Sequence, residues 1–169
     1  VSEIVKEEGV AKLTLEAVAK RAGVSKGGLL YHYPSKDALI KGMVKEWTDF
    51  YFESIETLAN HDNQVKGKWI RAYVKTAFSE LDDNNQKHLS AALTAALFIN
   101  PDLLDEFNEK NEALHAKLLN DGFEPHKITM ARLMIDGLWF AEIYGVAPLA
   151  KDMKTQVLGE LMKLIQEEE

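Results

Sequence analysis

The chain has 169 residues, a formal net charge of -7 and no cysteine, enough length for one good core or for one small domain beside a larger one. A hydrophobic content of 46% with 28% charged residues is that of an ordinary globular protein. The missing cysteines exclude a disulfide framework, a thiolate zinc site and a cysteine nucleophile, and fit a reducing, cytoplasmic location.

No stretch approaches the run of about eighteen apolar residues that a membrane span needs. VSEIVKEEGV at the N-terminus lacks the basic-then-apolar layout of a signal peptide. The charge is unevenly spread. Residues 1–46 hold 8 Lys+Arg against 6 Asp+Glu, a balance of +2, and residues 47–169 hold 12 against 21, a balance of -9. A phosphate chain asks for local positive charge and oriented N–H groups, not for a basic whole.

Ile4 and Val5 before Glu7, Glu8 and Gly9 read as the last turns of a helix ending at glycine. From Thr14 to Lys36 the pattern is that of two short helices at a tight turn. Thr14 is placed to N-cap the first, and Leu15, Val18, Ala19 and Ala22 give it one apolar face. Gly23 suits a left-handed helix end. Ser25 caps a second helix through about His32, with Leu29 on its inner side. Pro34 stops that helix, and Ser35 caps a longer one to about Ala59. Two short helices about a glycine-containing turn are the geometry of a helix-turn-helix. The second helix presents Ser25, Lys26, Gly27, Gly28, Tyr31 and His32 outward. Its paired glycines are poor for stability, and make sense where the backbone must approach another surface.

The helix from Ser35 to Ala59 is long enough, at about 1.5 Å per residue, to pass from one domain into another. Further helices are expected at about 65–81, 86–99, 101–120, 125–146 and 151–166, broken by Asn60–Asn63, DDNN at 82–85, Asn100-Pro101, Gly122 and Pro125. The 125–146 stretch is apolar on more than one stripe, so it should be buried on more than one side. EEE at the end reads as a solvated tail. No strand-like alternation, repeat or low-complexity tract interrupts the series. The fold class is therefore all-α: a small N-terminal bundle holding the helix-turn-helix, residues 1–46, and a larger C-terminal bundle, residues 47–169.

VSKGGLLYHYPSKDAL, preceded by TLEAVAKRAG, resembles the recognition segment of the TetR family of bacterial transcription regulators, whose usual form is close to SxGxLYxHFxSKExL. The tyrosine that usually follows the leucine is Leu30 here, with the aromatic moved to Tyr31, and Tyr33 stands where phenylalanine is common. The resemblance implies that a first helix packs across the helix-turn-helix pair, so that the chain begins inside that helix. It implies operator DNA as partner, with Thr14, Ser25, Lys26, Gly27, Gly28, Tyr31, His32 and Lys36 as contacts. It implies a homodimer formed by the last two helices, with Leu138, Leu158, Leu161, Met162 and Ile165 at the interface. It also implies a small, mainly apolar effector lined by residues among Trp69, Tyr73, Phe78, Phe98, Phe107, Met130, Met134, Trp139 and Phe140. Tyr73, Tyr144 or an acid such as Asp136 or Glu142 would orient it, an acid favouring a cationic ligand.

Each of these residues has a plainer role open to it: a solvated lysine, a cap that touches no phosphate, a core aromatic. No constellation speaks for an enzyme. The five histidines form no HExxH and no pair at metal-ligand spacing, and Glu112-Ala113-Leu114-His115 occurs once where a diiron bundle needs two such motifs. No cofactor and no metal are implied. The expected function is a ligand-responsive regulator, a repressor released by its effector. The alternatives are a helical binding or adaptor protein that has lost DNA binding, and an effector-free structural regulator of DNA.

Overall fold

Local chemistry sets the first elements as the sequence suggests. In the computed structural model, which describes residues 13–81 and 84–165 (for 80 and 84–86, the backbone alone), helix α1 spans Leu15–Ala22 and α2 spans Lys26–His32. The Thr14 hydroxyl accepts from the Ala17 N–H at 3.1 Å, and the Ser25 hydroxyl accepts from the Gly28 N–H at 3.0 Å. Each satisfies a donor that a helix start leaves unpaired. Gly23 closes α1 at φ 67°, a conformation that costs a residue with a Cβ about 1–2 kcal/mol. Helix α3, Lys36–Asn60, begins where Ser35 accepts from the Ala38 N–H at 3.0 Å. The expected helix end at residues 1–9 and the acidic tail at 167–169 lie outside the described residues.

Five more helices follow: α4 Lys68–Leu81, α5 Asn84–Phe98, α6 Pro101–Leu119, α7 Pro125–Tyr144 and α8 Lys151–Leu164. Helix α4 starts three residues later than its apolar pattern suggests. The Asp121 carboxylate, distant in sequence, accepts from the N–H groups of Trp69 at 3.2 Å and Ile70 at 2.8 Å, and so sets where the helix begins. Helix α7 ends at Tyr144, where Gly145 turns left-handed at φ 65°.

The chain forms two compact units, Val1–Asp49 with Asp83–Phe107, and Phe50–Asp82 with Asn108–Glu169. They do not follow the linear division at residue 46. Leu89, Leu93 and Leu97 of α5, spaced four apart on one helix face, share the first unit's core with Leu13, Val18, Leu29, Leu39 and Met43. Within that unit Tyr33 packs against α3 at Gly42, where a Cβ would stand 2.7 Å from its ring.

The second unit's core gathers Ile55, Ile70, Tyr73, Leu118, Ile128, Ile135, Leu161 and Ile165. Full burial of each such aliphatic side chain is worth about 1.5–3 kcal/mol. Leu161, Ile165 and Leu138, expected at a dimer interface, are instead buried within their own protomer. Leu158 and Met162 are half-buried against the same core. The apolar groups left facing outward on α7 are Met130, Leu133 and Phe140, which are 46, 57 and 51% exposed.

Candidate nucleic-acid interface and ligand site

Helix α2 buries Leu29, half-buries Leu30 and turns the rest of its surface outward. Ser25, Lys26, Gly27, Gly28, Tyr31 and His32 are all exposed, Tyr31 by 85%, and Thr14 is exposed at the start of α1. Lys36, at the first turn of α3, is partly covered. Nothing stands within 4 Å of where a Gly27 Cβ would project, so the backbone there is open to a large partner. The Tyr31 and His32 rings meet edge to face at 5.2 Å. The eight expected contacts thus belong to one short segment of chain, and seven of them are exposed.

One feature of this surface escapes a reading of charges along the sequence. The Lys26 ammonium donates to the Glu16 carboxylate of α1. That hydrogen bond, then one from the backbone and then the attraction of the ammonium charge, hold Glu16 below the usual carboxylate range. The pair ties the two helices together at their solvent edge, and it partly neutralises a cation expected to meet phosphate.

The nine expected effector residues are not brought together. Phe98 is 60% exposed, and both it and Phe107 belong to the first unit. Met130 and Phe140 face outward on α7. Trp69, Phe78, Met134 and Trp139 pack against the second unit's core, and Tyr73 belongs to it. Trp69 also carries the Lys117 ammonium at 4.3 Å from its ring, a favourable cation–π arrangement.

The second unit contains a polar seam between α4 and α7. The buried Tyr73 hydroxyl donates to the Asp136 carboxylate. Burial pushes the Asp136 pKa above the usual value, while the Tyr73 hydrogen bond and the Arg132 charge pull it back down. The Tyr73 phenol is driven far above its ordinary value, by burial first, then by Tyr51 and Asp136 beside it. Thr76 lies one turn from Tyr73 on α4, and Arg132 one turn from Asp136 on α7. The Thr76 hydroxyl and Arg132 Nε are buried with no hydrogen-bond partner among the described residues. Buried polar atoms are rarely left so, because the desolvation cost of each is about 1–3 kcal/mol.

The sequence comparisons agree with this geometry. The model for bacterial regulatory proteins of the tetR family matches residues 2–43, and the tetracyclin repressor-like C-terminal domain matches residues 67–166. The chain belongs to the TetR family. Among curated relatives of this TetR-family chain, the icaADBC negative transcriptional regulator IcaR of Staphylococcus epidermidis is 22% identical over 113 residues, 67% of this chain and 60% of its own length. The nucleoid occlusion factor SlmA of Vibrio cholerae is 25% identical over 160 residues, 94% of this chain and 76% of its own. The chain therefore spans less than two thirds of IcaR. A TetR transcriptional regulator from Legionella pneumophila shares the fold, with a TM-score of 0.68 at 14% identity, over 98% of this chain and 92% of that one.

Proposed function

We propose that this TetR-family chain is a homodimeric, DNA-binding transcription regulator, a repressor that leaves its operator when a small, mainly apolar molecule binds its second unit. The observation that carries the DNA reading is the α1–α2 surface, where Ser25, Lys26, Gly27, Gly28, Tyr31 and His32 are exposed together on a helix whose start is capped by Ser25. Hydroxyls, lysines and helix N-termini are the groups that hold a phosphate chain. None of the expected contacts is an acid, although Glu16 stands next to them.

Tyr73, Asp136, Thr76 and Arg132 support an effector position along the α4–α7 seam. The apolar neighbours Phe78, Met134 and Trp139 would take the body of the ligand, and Tyr73 with Asp136 would orient its polar end. The carboxylate favours a cationic or hydrogen-bond-donating group. The effector changes DNA affinity only through its different affinity for the two states. A tenfold loss of operator binding needs about 1.4 kcal/mol of coupling, and operator must weaken effector binding by the same factor.

The outward row Met130, Leu133, Gly137 and Phe140, continued by the half-buried Tyr144, supports a dimer built on α7. These positions alternate three and four apart, the spacing that brings one stripe of a helix against a neighbour, and an isologous contact lets the same row meet its own copy. The test is selection of bound sequences from a random duplex pool. A dimer of this kind enriches a two-fold related site, its half-sites separated by about one helical turn, 34–36 Å, or a multiple of it. Failure to enrich any sequence, with no fall of duplex affinity as salt rises, would leave the adaptor reading in its place.

A further inference from the structure

The first unit contains a half-open pocket of about 310 Å³ beneath the helix-turn-helix, lined by residues of α1, α2, α3 and α5. It is distinct from the α4–α7 seam. Leu29, the buried residue of α2, and Tyr33, which caps that helix, form one wall. Met43 and Trp47 of α3 also line it. Ala22 and Glu46 are its exposed members and therefore mark the mouth.

Most lining side chains are apolar, and the polar groups among them are the Glu46 carboxylate, the Tyr33 phenol and the Trp47 indole N–H. At the density of a protein interior the cavity holds roughly a dozen non-hydrogen atoms, and its volume is at the low end of small-molecule sites. Glu46 at the mouth repels an anion and rewards a cation. Tyr33 and Trp47 are the aromatic members of the lining, the residue type that attracts an ammonium group, and the aliphatic wall asks for an apolar body. We propose that this cavity binds an aromatic or alkyl primary amine of about that size, its body against Leu29, Met43 and Trp47 and its ammonium beside Glu46. Such a ligand touches the recognition helix directly through Leu29 and Tyr33, without passing through the second unit.

The five methionines at 43, 130, 134, 153 and 162 give a site-resolved readout. The full chain, labelled at its methionine methyl carbons, is titrated with 1-aminomethylnaphthalene and, separately, with the neutral 1-naphthalenemethanol. The amine is expected to move the Met43 methyl resonance saturably and to leave Met134 and Met162 in place. Ala22→Leu, which narrows the mouth from an exposed position, should abolish the Met43 shift. Leu93→Phe, filling the α5 wall, serves the same end should the first variant fold poorly. Glu46→Gln should weaken the amine by about threefold, the effect of an exposed charge pair, and leave the alcohol unchanged. Three results overturn the proposal: no Met43 shift with the amine at millimolar concentration, a shift confined to Met134 or Met162, or equal affinity for amine and alcohol. Duplex binding by the unliganded protein does not depend on any of them, so this site and the DNA reading fail separately.

Discussion

The Tyr73–Asp136 pair offers a prediction in which stability, pH and the α4–α7 seam meet. Tyr73→Phe removes one hydroxyl from a residue that is 7% exposed and leaves the Asp136 carboxylate without its donor. A hydrogen bond to a charged group is worth about 1.5–3 kcal/mol. Asp136 is half-buried, so solvent recovers part of this, and a loss of about 2 kcal/mol is expected at neutral pH. For a chain of this length that lowers Tm by roughly 4–8 °C.

The sign of the pH dependence makes the claim specific. The folded pKa of Asp136 lies above its unfolded value, so ionising it costs stability. That part of the stability is fully present below the unfolded pKa and is lost as pH rises through the folded one. The Tyr73 hydroxyl opposes the shift, and in Tyr73→Phe the Asp136 pKa moves further up. The cost of the substitution is therefore small in acid, where the carboxyl is protonated in both proteins, and grows as pH rises through its folded pKa. Urea unfolding from pH 4 to 8, with Asp136→Asn as the background that removes the titration, measures it. A Tyr73→Phe cost that stays constant across that range, or persists undiminished in the Asp136→Asn background, would refute the assignment.

Other outcomes follow from the same structure. Glu16→Gln releases Lys26 and removes an acid from the α1–α2 surface, so it should tighten binding to random duplex. Lys36→Ala should instead weaken binding and reduce the salt slope by about one, as read by fluorescence anisotropy against salt. Leu133→Asp should yield a folded monomer in sedimentation, whereas Leu161→Glu, a charge in the protomer core, should unfold the chain. A Leu133→Asp dimer indistinguishable from the parent would move the interface off α7. Asp121→Ala orphans two N–H groups of the first turn of α4 and should cost about 2 kcal/mol, with Asp121→Asn, which keeps one acceptor, losing about half. Asp62 is held below the usual carboxylate range by its hydrogen bond from Arg71, then by the Gln64 N–H. Its contribution is therefore present above the unfolded pKa and lost as pH falls through the folded one, and Asp62→Asn should flatten the acid limb of the stability curve.

Several determinants were local and hence legible from the residues alone. Thr14, Gly23, Ser25, Pro34 and Ser35 mark helix ends because a cap acts on backbone groups two or three residues away. Leu29 could be placed inside and Tyr31 outside because helical spacing separates them onto different faces. The match around the helix-turn-helix carried the family for the same reason: its residues are contiguous.

What the sequence left open was which surface each apolar stripe meets. Helix α7 is apolar on most sides, so periodicity could not separate Leu138, which is buried, from Met130, Leu133 and Phe140, which are not. The resemblance implies that Leu161 and Ile165 are a partner's contacts, and the packing of α8 makes them core. The leucines of α5 could have joined either unit, and it is their packing with Leu39 and Met43 that puts them in the first. Pairings between distant residues were likewise beyond reach: Glu16 with Lys26, Tyr73 with Asp136, Asp121 with the start of α4. A periodic pattern says how a helix is divided into faces, but only the folded chain decides what lies opposite each face. Groups fifty or more residues apart come within a hydrogen bond's length through tertiary packing alone.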